Sequence, residues 1–240
     1  MPLDAWQPAR VIRTPGGFAL DTERVYRGSR YIASVQFRQY LPVFQQYLRG
    51  DILDAGCGPV PYYGIYRDAA TSVTCLDFVD AEHPNPYVDV SHDLNEPLPF
   101  EDARFDSILL SDVLAHVYEQ RQLMRECGRC LRPGGRLVLT TPFIYWISEF
   151  PRTYFHPTAS ALERMCAEAG LEIVTLAPYG TYVDVLLDTL NKGMTGPWNH
   201  HVFRLLAAVL PRTAWMHRES RRKGQSYPPG YILVAERRRP

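Results

Sequence analysis

Short apolar runs alternate with stretches of helical spacing from Asp51 to Gly180, and this alternation limits the fold more than any other feature. "DILDA" (51–55), "SVTCLDF" (72–78), "PYVDV" (86–90), "RFDSILLS" (104–111), "RLVLTTP" (136–142), "LEIVTLAPYG" (171–180) and "GYILVAERR" (230–238) read as strands. "YEQRQLMRECGRCL" (118–131), closed by "RPGG", and "TASALERMCAEAG" (158–170), with Gly170 past its end, read as helices. Apolar strands joined by helices predict an α/β fold, with a mostly parallel sheet covered on both faces.

The flanks of this core read differently. Residues 1–20 look irregular, with three prolines and a Gly-Gly pair. From Thr22 to Leu48 apolar and aromatic residues (Val25, Ile32, Val35, Phe37, Tyr40) recur at helical spacing, with a break expected at Pro42. Residues 181–228 leave the alternation and carry two apolar helical stretches, "YVDVLLDTL" and "VFRLLAAVL", before a basic cluster at 217–223. The expected organisation is an N-terminal segment with cap helices (1–49), the core (50–180), a helical insertion (181–228) and a last core strand with the tail (229–240).

At 240 residues one α/β domain is expected, and the formal net charge of zero argues against nucleic acid as a partner. The five cysteines are an odd, scattered set that makes a poor disulfide framework. Cys127 and Cys130 sit three apart near a helix end without a second pair, which suits packing better than a metal site, and no metal is expected. The opening residues lack a secretory apolar core and no run reaches the ~20 residues of a membrane span, so a reducing, cytoplasmic setting is expected.

The loop after the first core strand, "ILDAGCGPVPYYGIY" (52–66), is where an open parallel sheet binds ligands. Gly56 and Gly58 let backbone approach a ligand closely. A dinucleotide site asks for a third glycine, and here that position is Pro61. No Tyr-x-x-x-Lys occurs, because neither Lys192 nor Lys223, the only lysines, follows a tyrosine at that distance. Gly-Lys-Ser/Thr is absent too, which excludes a P-loop. A nucleoside-type ligand with a small charged tail and no pyrophosphate remains.

"LDAGCGPVPYYGIY", the acid in "CLDF", "HDLNEPLPFEDARFDSILLSDVLAHV" and "CLRPGGRLVLTTPF" follow one another at a spacing that resembles class I S-adenosylmethionine-dependent methyltransferases, over residues 50–180 and the final strand. The resemblance is closest to small-molecule enzymes with a G-C-G-x-x-P-Y loop. It implies a Rossmann-like seven-stranded sheet with an antiparallel final strand, and S-adenosyl-L-methionine as cofactor. Asp54, Gly56, Cys57 and Gly58 would then meet its amino-acid end. Asp77 would accept from both ribose hydroxyls with Phe78 beside it, a role its place at a strand end supports without analogy. Asp93 and the backbone of Leu94 would meet the adenine, and Ser111 the sulfonium region. Tyr26 or Arg30 on the first helix could close over the cofactor carboxylate, although a solvated helix face explains them equally well.

On the acceptor side the relatives often carry Glu-His where this chain has Ala115-His116. In "SEFPRTYFHPT" Glu149, Pro151, Tyr154 and Thr158 match the relatives' pattern, whereas Ser148, Thr153 and His156 depart from it. His116 and His156 are the candidate bases. Tyr145, Trp146, Glu149 and Tyr154 are candidates for an acceptor wall suited to a sugar or flat ring, with core or lid packing as the competing role. The expected reaction is O-methylation of a small-molecule or glycan-like acceptor; a degenerate fold kept for binding is the rival. For the insertion a lid, a homodimer contact and a peripheral membrane contact through 198–223 all stay open.

Overall fold

The computed structural model describes residues 10–78, 85–148, 151–193, 203, 206, 207, 209 and 226–239. The first described elements are strands β1 (Val11–Thr14) and β2 (Gly17–Leu20), an antiparallel hairpin. The expected irregularity is thus corrected over 11–20: Pro15-Gly16 is a two-residue turn, and Gly17 takes the φ of 124° that a side chain resists. Helix α1 (Arg30–Tyr47) contains Pro42 rather than breaking there. A ring at that position removes one backbone donor, but Ile32, Val35, Tyr40 and Phe44 stay buried along one face, and that packing carries the helix through.

The core runs β3 (Gly50–Ala55), α2 (Tyr63–Tyr66), β4 (Ala70–Asp77), β5 (Val90–Ser91), β6 (Phe105–Ser111), α3 (Gln120–Cys130), β7 (Leu131–Pro142), α4 (Ala159–Glu168), β8 (Leu171–Tyr179), α5 (Tyr182–Gly193) and β9 (Gly230–Arg237). Seven strands form one sheet in the order β5-β4-β3-β6-β7-β9-β8, and β9 alone runs antiparallel to both its neighbours. Successive side chains go to opposite faces: Ile108 and Leu110 join the layer with α3 and α4, and Leu109 joins the layer with α1 and α2.

Two strands differ from expectation. β5 has two residues and keeps only Val90 of the expected 86–90, because Pro86 lacks a donor and Asn85 folds back to accept from the Tyr87 amide. β7 begins at Leu131, opposite Phe105, and the ladder resumes at Arg136 opposite Ser107. "RPGG" is thus a bulge inside a strand, with Gly134 at φ 81°.

The described part of the insertion, α5, seats on the N-terminal end of α1. Tyr31 Oη donates to Asp184 at 2.6 Å, Asn191 donates to the Gly28 carbonyl at 2.7 Å, and Phe203 meets the Tyr31 ring edge-on. Trp198 and the basic cluster at 217–223 lie outside the described residues. Among the described residues no helix is long and apolar enough to cross a membrane.

Candidate active site

From β3 the chain winds to β4 and β5 on one side, then returns to β6 on the other, so β3 and β6 flank the switch point where such sheets open a crevice. A cleft of about 530 Å³ lies there, lined by the glycine turn, Asp77, Phe78, 92–95, Ser111–Val113, His116, Arg10, Arg152 and Tyr154. A hollow of about 600 Å³ at the other end of the sheet holds Arg132 and Arg136, but these are tied to Asp51, Asp106 and Glu236. The glycine turn and the strand-end acids face the cleft.

Gly56 and Gly58 meet different demands. At Gly56 φ is 71°, and an added Cβ would lie 1.9 Å from Val113 Cγ2, so β3 and β6 can close only over a bare backbone. At Gly58 φ is 50° and an added Cβ would meet nothing within 4 Å. Val60 also takes a positive φ of 48°, which costs a non-glycine residue about 1–2 kcal/mol and is offset by complete burial of its side chain. With Pro61 in the third-glycine position, α2 spans four residues rather than extending a helix toward a pyrophosphate.

Asp77 ends β4. Its Oδ2 accepts from the Gly58 amide at 2.6 Å and its Oδ1 from the Phe78 amide at 2.7 Å. A carboxylate oxygen can accept more than one hydrogen bond, the chemistry that a vicinal diol asks of its partner. Phe78 is half exposed beside it, with the Arg152 guanidinium 5.7 Å from its ring centre. Asp93 Oδ1 accepts from the amide and side chain of Asn95, whose own Oδ1 accepts from the amides of Tyr118 and Glu119. The loop carrying Asp93 and Leu94 is thereby pinned to the start of α3. Cys57, buried in the turn, completes this wall.

On the β6 side Ser111 Oγ is buried with no hydrogen-bond partner among the described residues. Next to it Asp112 adopts a φ of 57°. Tyr40 Oη donates to its carboxylate at 3.0 Å, Thr140 Oγ1 at 3.2 Å and Gln36 Nε2 at 3.4 Å. The residue borders the cleft half-buried, and desolvation raises its pKa to about 6 against the lowering donors Tyr40 and Thr140. The His116 ring places Nδ1 3.0 Å from the Arg152 carbonyl; a ring donating there presents an unprotonated Nε2. The Tyr154 amide donates to the Ala115 carbonyl at 2.9 Å, which holds the loop after β7 across this side of the cleft.

Asp54 takes the place expected of it under the turn, and several other expected residues stand outside the cleft. Asp54 lies beneath the turn, buried, accepting from Tyr66 Oη. Burial lifts its pKa to about 7, Tyr66 opposes this and the charge of Asp77 adds to it. Tyr26 and Arg30 do not line the cleft: Tyr26 is exposed and Arg30 reaches Glu23 at 3.1 Å, because the hairpin and the turn before α1 carry them outward. Arg10 lines the cleft in their place. Tyr145 and Trp146 leave the cleft as well. The Lys192 ammonium of α5 sits 3.8 Å from the Tyr145 ring centre and 5.2 Å from that of Trp146. His156 is half-buried outside the cleft, its Nδ1 3.1 Å from the Phe143 carbonyl, and burial lowers its pKa. Glu149 lies outside the described residues. Arg10, Asp112 and Arg152 were not anticipated; only Asp112 had a signal, as an acid adjoining Ser111 at a strand end.

Strand order, switch point and cleft define a doubly wound α/β protein with a site for a nucleoside-type cofactor. Residues 53–139 match a family model described as a methyltransferase domain. Over this core the chain is similar to S-adenosylmethionine-dependent methyltransferases. A Mycolicibacterium smegmatis protein named "Probable S-adenosylmethionine-dependent methyltransferase" is 32% identical over 152 residues, 57% of this chain and 59% of that one. The alignment therefore spans somewhat more than half of that relative's length. A solved S-adenosylmethionine-dependent methyltransferase from Mesorhizobium loti shares the fold at TM-score 0.56 and 17% identity, covering 86% of this chain and all of that one. So does the [4+2]-cyclase SpnF, at TM-score 0.56 and 21% identity, over 87% of this chain and 82% of that one.

Proposed function

We propose that this chain transfers the methyl group of S-adenosyl-L-methionine to a hydroxyl of a small-molecule or glycan-like acceptor. The observation that carries the reading is the pair of anchors across one cleft: the Asp77 carboxylate, fixed to the glycine turn, and the unpartnered buried hydroxyl of Ser111. Asp77 takes the ribose diol, Phe78 and the Asp93–Leu94 loop take the adenine, and the Gly56–Gly58 turn with Cys57 takes the amino-acid end. Arg10, which has no ion-pair partner among the described residues, replaces Arg30 as the group for the cofactor carboxylate. Asp54 supports the turn from below.

The sulfonium already activates the methyl, so the protein supplies alignment and exclusion of water. Held by Asp77, the Asp93–Leu94 loop and the glycine turn, S-adenosyl-L-methionine would supply an electrophilic methyl group to the acceptor oxygen and would leave as the neutral thioether. His116, with Nδ1 on the Arg152 carbonyl, receives the acceptor proton at Nε2. Tyr154 borders the acceptor. His156, outside the cleft, positions the loop. The zero net charge supports an acceptor without a polyanionic backbone.

A second reading is a binding protein without turnover, favoured by Ala115 where the relatives often carry Glu. Calorimetric titration with S-adenosylhomocysteine, beside Asp77→Ala, tests the cofactor. Binding lost in the variant supports the reading, and an acceptor screen with labelled methyl donor then separates the two roles. No binding to the folded wild-type protein overturns both.

A further inference from the structure

The Asp112 carboxylate has no ion-pair partner among the described residues, and its hydrogen bonds come from neutral donors: Tyr40, Gln36 and Thr140. A half-buried carboxylate held by neutral donors alone keeps its charge unbalanced, and at the edge of a cleft the countercharge can come from a ligand. Its backbone is left-handed, so β6, whose last residue Ser111 faces the cleft, turns sharply just where the carboxylate is held. We propose that Asp112 is the charge-selecting residue of the cleft, favouring a sulfonium cation over the neutral thioether that methyl transfer leaves behind. The inference rests on the cofactor assignment above and adds to it how substrate and product are told apart.

The reasoning is one of differential charge. S-adenosylmethionine and S-adenosylhomocysteine share adenosine, amine and carboxylate, and differ by a methyl group and a full positive charge at sulfur. Asp77, Asp93 and Arg10 meet shared groups and cannot discriminate. A carboxylate in a low-dielectric wall near the sulfur can, since Coulomb energy there far exceeds its value in water. Tyr40, Tyr62, Tyr145 and Tyr179 face Asp112 as phenols, Arg10 faces it as a cation without forming a salt bridge among the described residues, and the His116 imidazole also faces it. Loss of the methyl charge removes the attraction, so the spent cofactor is released from a site that held the fresh one.

The test is calorimetry of the full chain with S-adenosylmethionine, with sinefungin (whose amine keeps a cation near the sulfur position) and with S-adenosylhomocysteine. In Asp112→Asn the two cationic ligands should weaken by tenfold or more relative to S-adenosylhomocysteine, whereas Arg10→Ala should weaken all three alike. Equal loss, or no loss, of all three in Asp112→Asn overturns the proposal and leaves the cofactor assignment standing. Failure of wild type to bind any of them overturns both. Should Asp112→Asn not fold, the wild type decides: between pH 5 and pH 7.5 the preference for S-adenosylmethionine over S-adenosylhomocysteine should rise several-fold, and a flat ratio overturns the proposal.

Discussion

The Oδ2 of Asp77 accepts from the Gly58 amide at 2.6 Å, so the acid at the end of one core strand fixes the turn at the end of its neighbour. On the proposed reading, cofactor binding and turn geometry are coupled through this side chain. Replacing it removes the bonds from the Gly58 and Phe78 amides and those it would make to the ribose, each charge-assisted bond worth about 1.5–3 kcal/mol. Asp77→Ala should weaken S-adenosylhomocysteine at least a hundredfold by calorimetry, and Asp77→Asn, which can still accept the Gly58 amide, should weaken it less.

Gly56 and Gly58 should respond in opposite ways. Gly56→Ala drives a methyl into Val113 and forces a left-handed alanine, and a drop in melting temperature equivalent to ~2–4 kcal/mol is expected. Adding Val113→Ala should restore part of it. Gly58→Ala meets no atom, so it should cost about 1 kcal/mol of stability, yet crowd the cleft and weaken the cofactor.

Asp54 sets a pH dependence of stability. Its folded pKa of about 7 lies above the ordinary 3.8, so between those values the native state keeps a proton that the unfolded chain has lost. Stability contributed by this group falls as pH rises from about 4 to about 7, by up to about 4 kcal/mol. Asp112, raised to about 6, acts in the same direction over a narrower window. Urea denaturation at pH 5 and pH 8 should show the loss, and Asp54→Asn should flatten it.

Lys192 and Asp188 form an ion pair with both side chains about nine-tenths buried, capped by Tyr145 and Trp146. Burial lowers the lysine pKa and raises that of Asp188. Lys192→Met alone should destabilise by about 3–5 kcal/mol, because it strands the carboxylate. Lys192→Met with Asp188→Leu should recover most of that in a thermal melt; if both variants melt alike, the pair is not a coupled unit.

The sequence by itself determined the alternation of apolar strands with helices, and with it the parallel sheet and the place of the glycine turn. Those features are local: period-two burial, the missing Cβ of Gly56 and Gly58, and the acid that ends β4 are written in consecutive residues. Tertiary structure decided what depends on partners distant in sequence. Pro42 stays helical because α1 is held from outside by the core. Tyr145 and Trp146 were drawn from the cleft by Lys192, about 46 residues onward, and Arg10 entered it through a hairpin whose pairing has no chemical motif. Asp112 became a half-buried charge held by neutral donors because α1 and β7 bring Tyr40, Gln36 and Thr140 to the end of β6, a convergence of three elements that spacing along the chain does not encode.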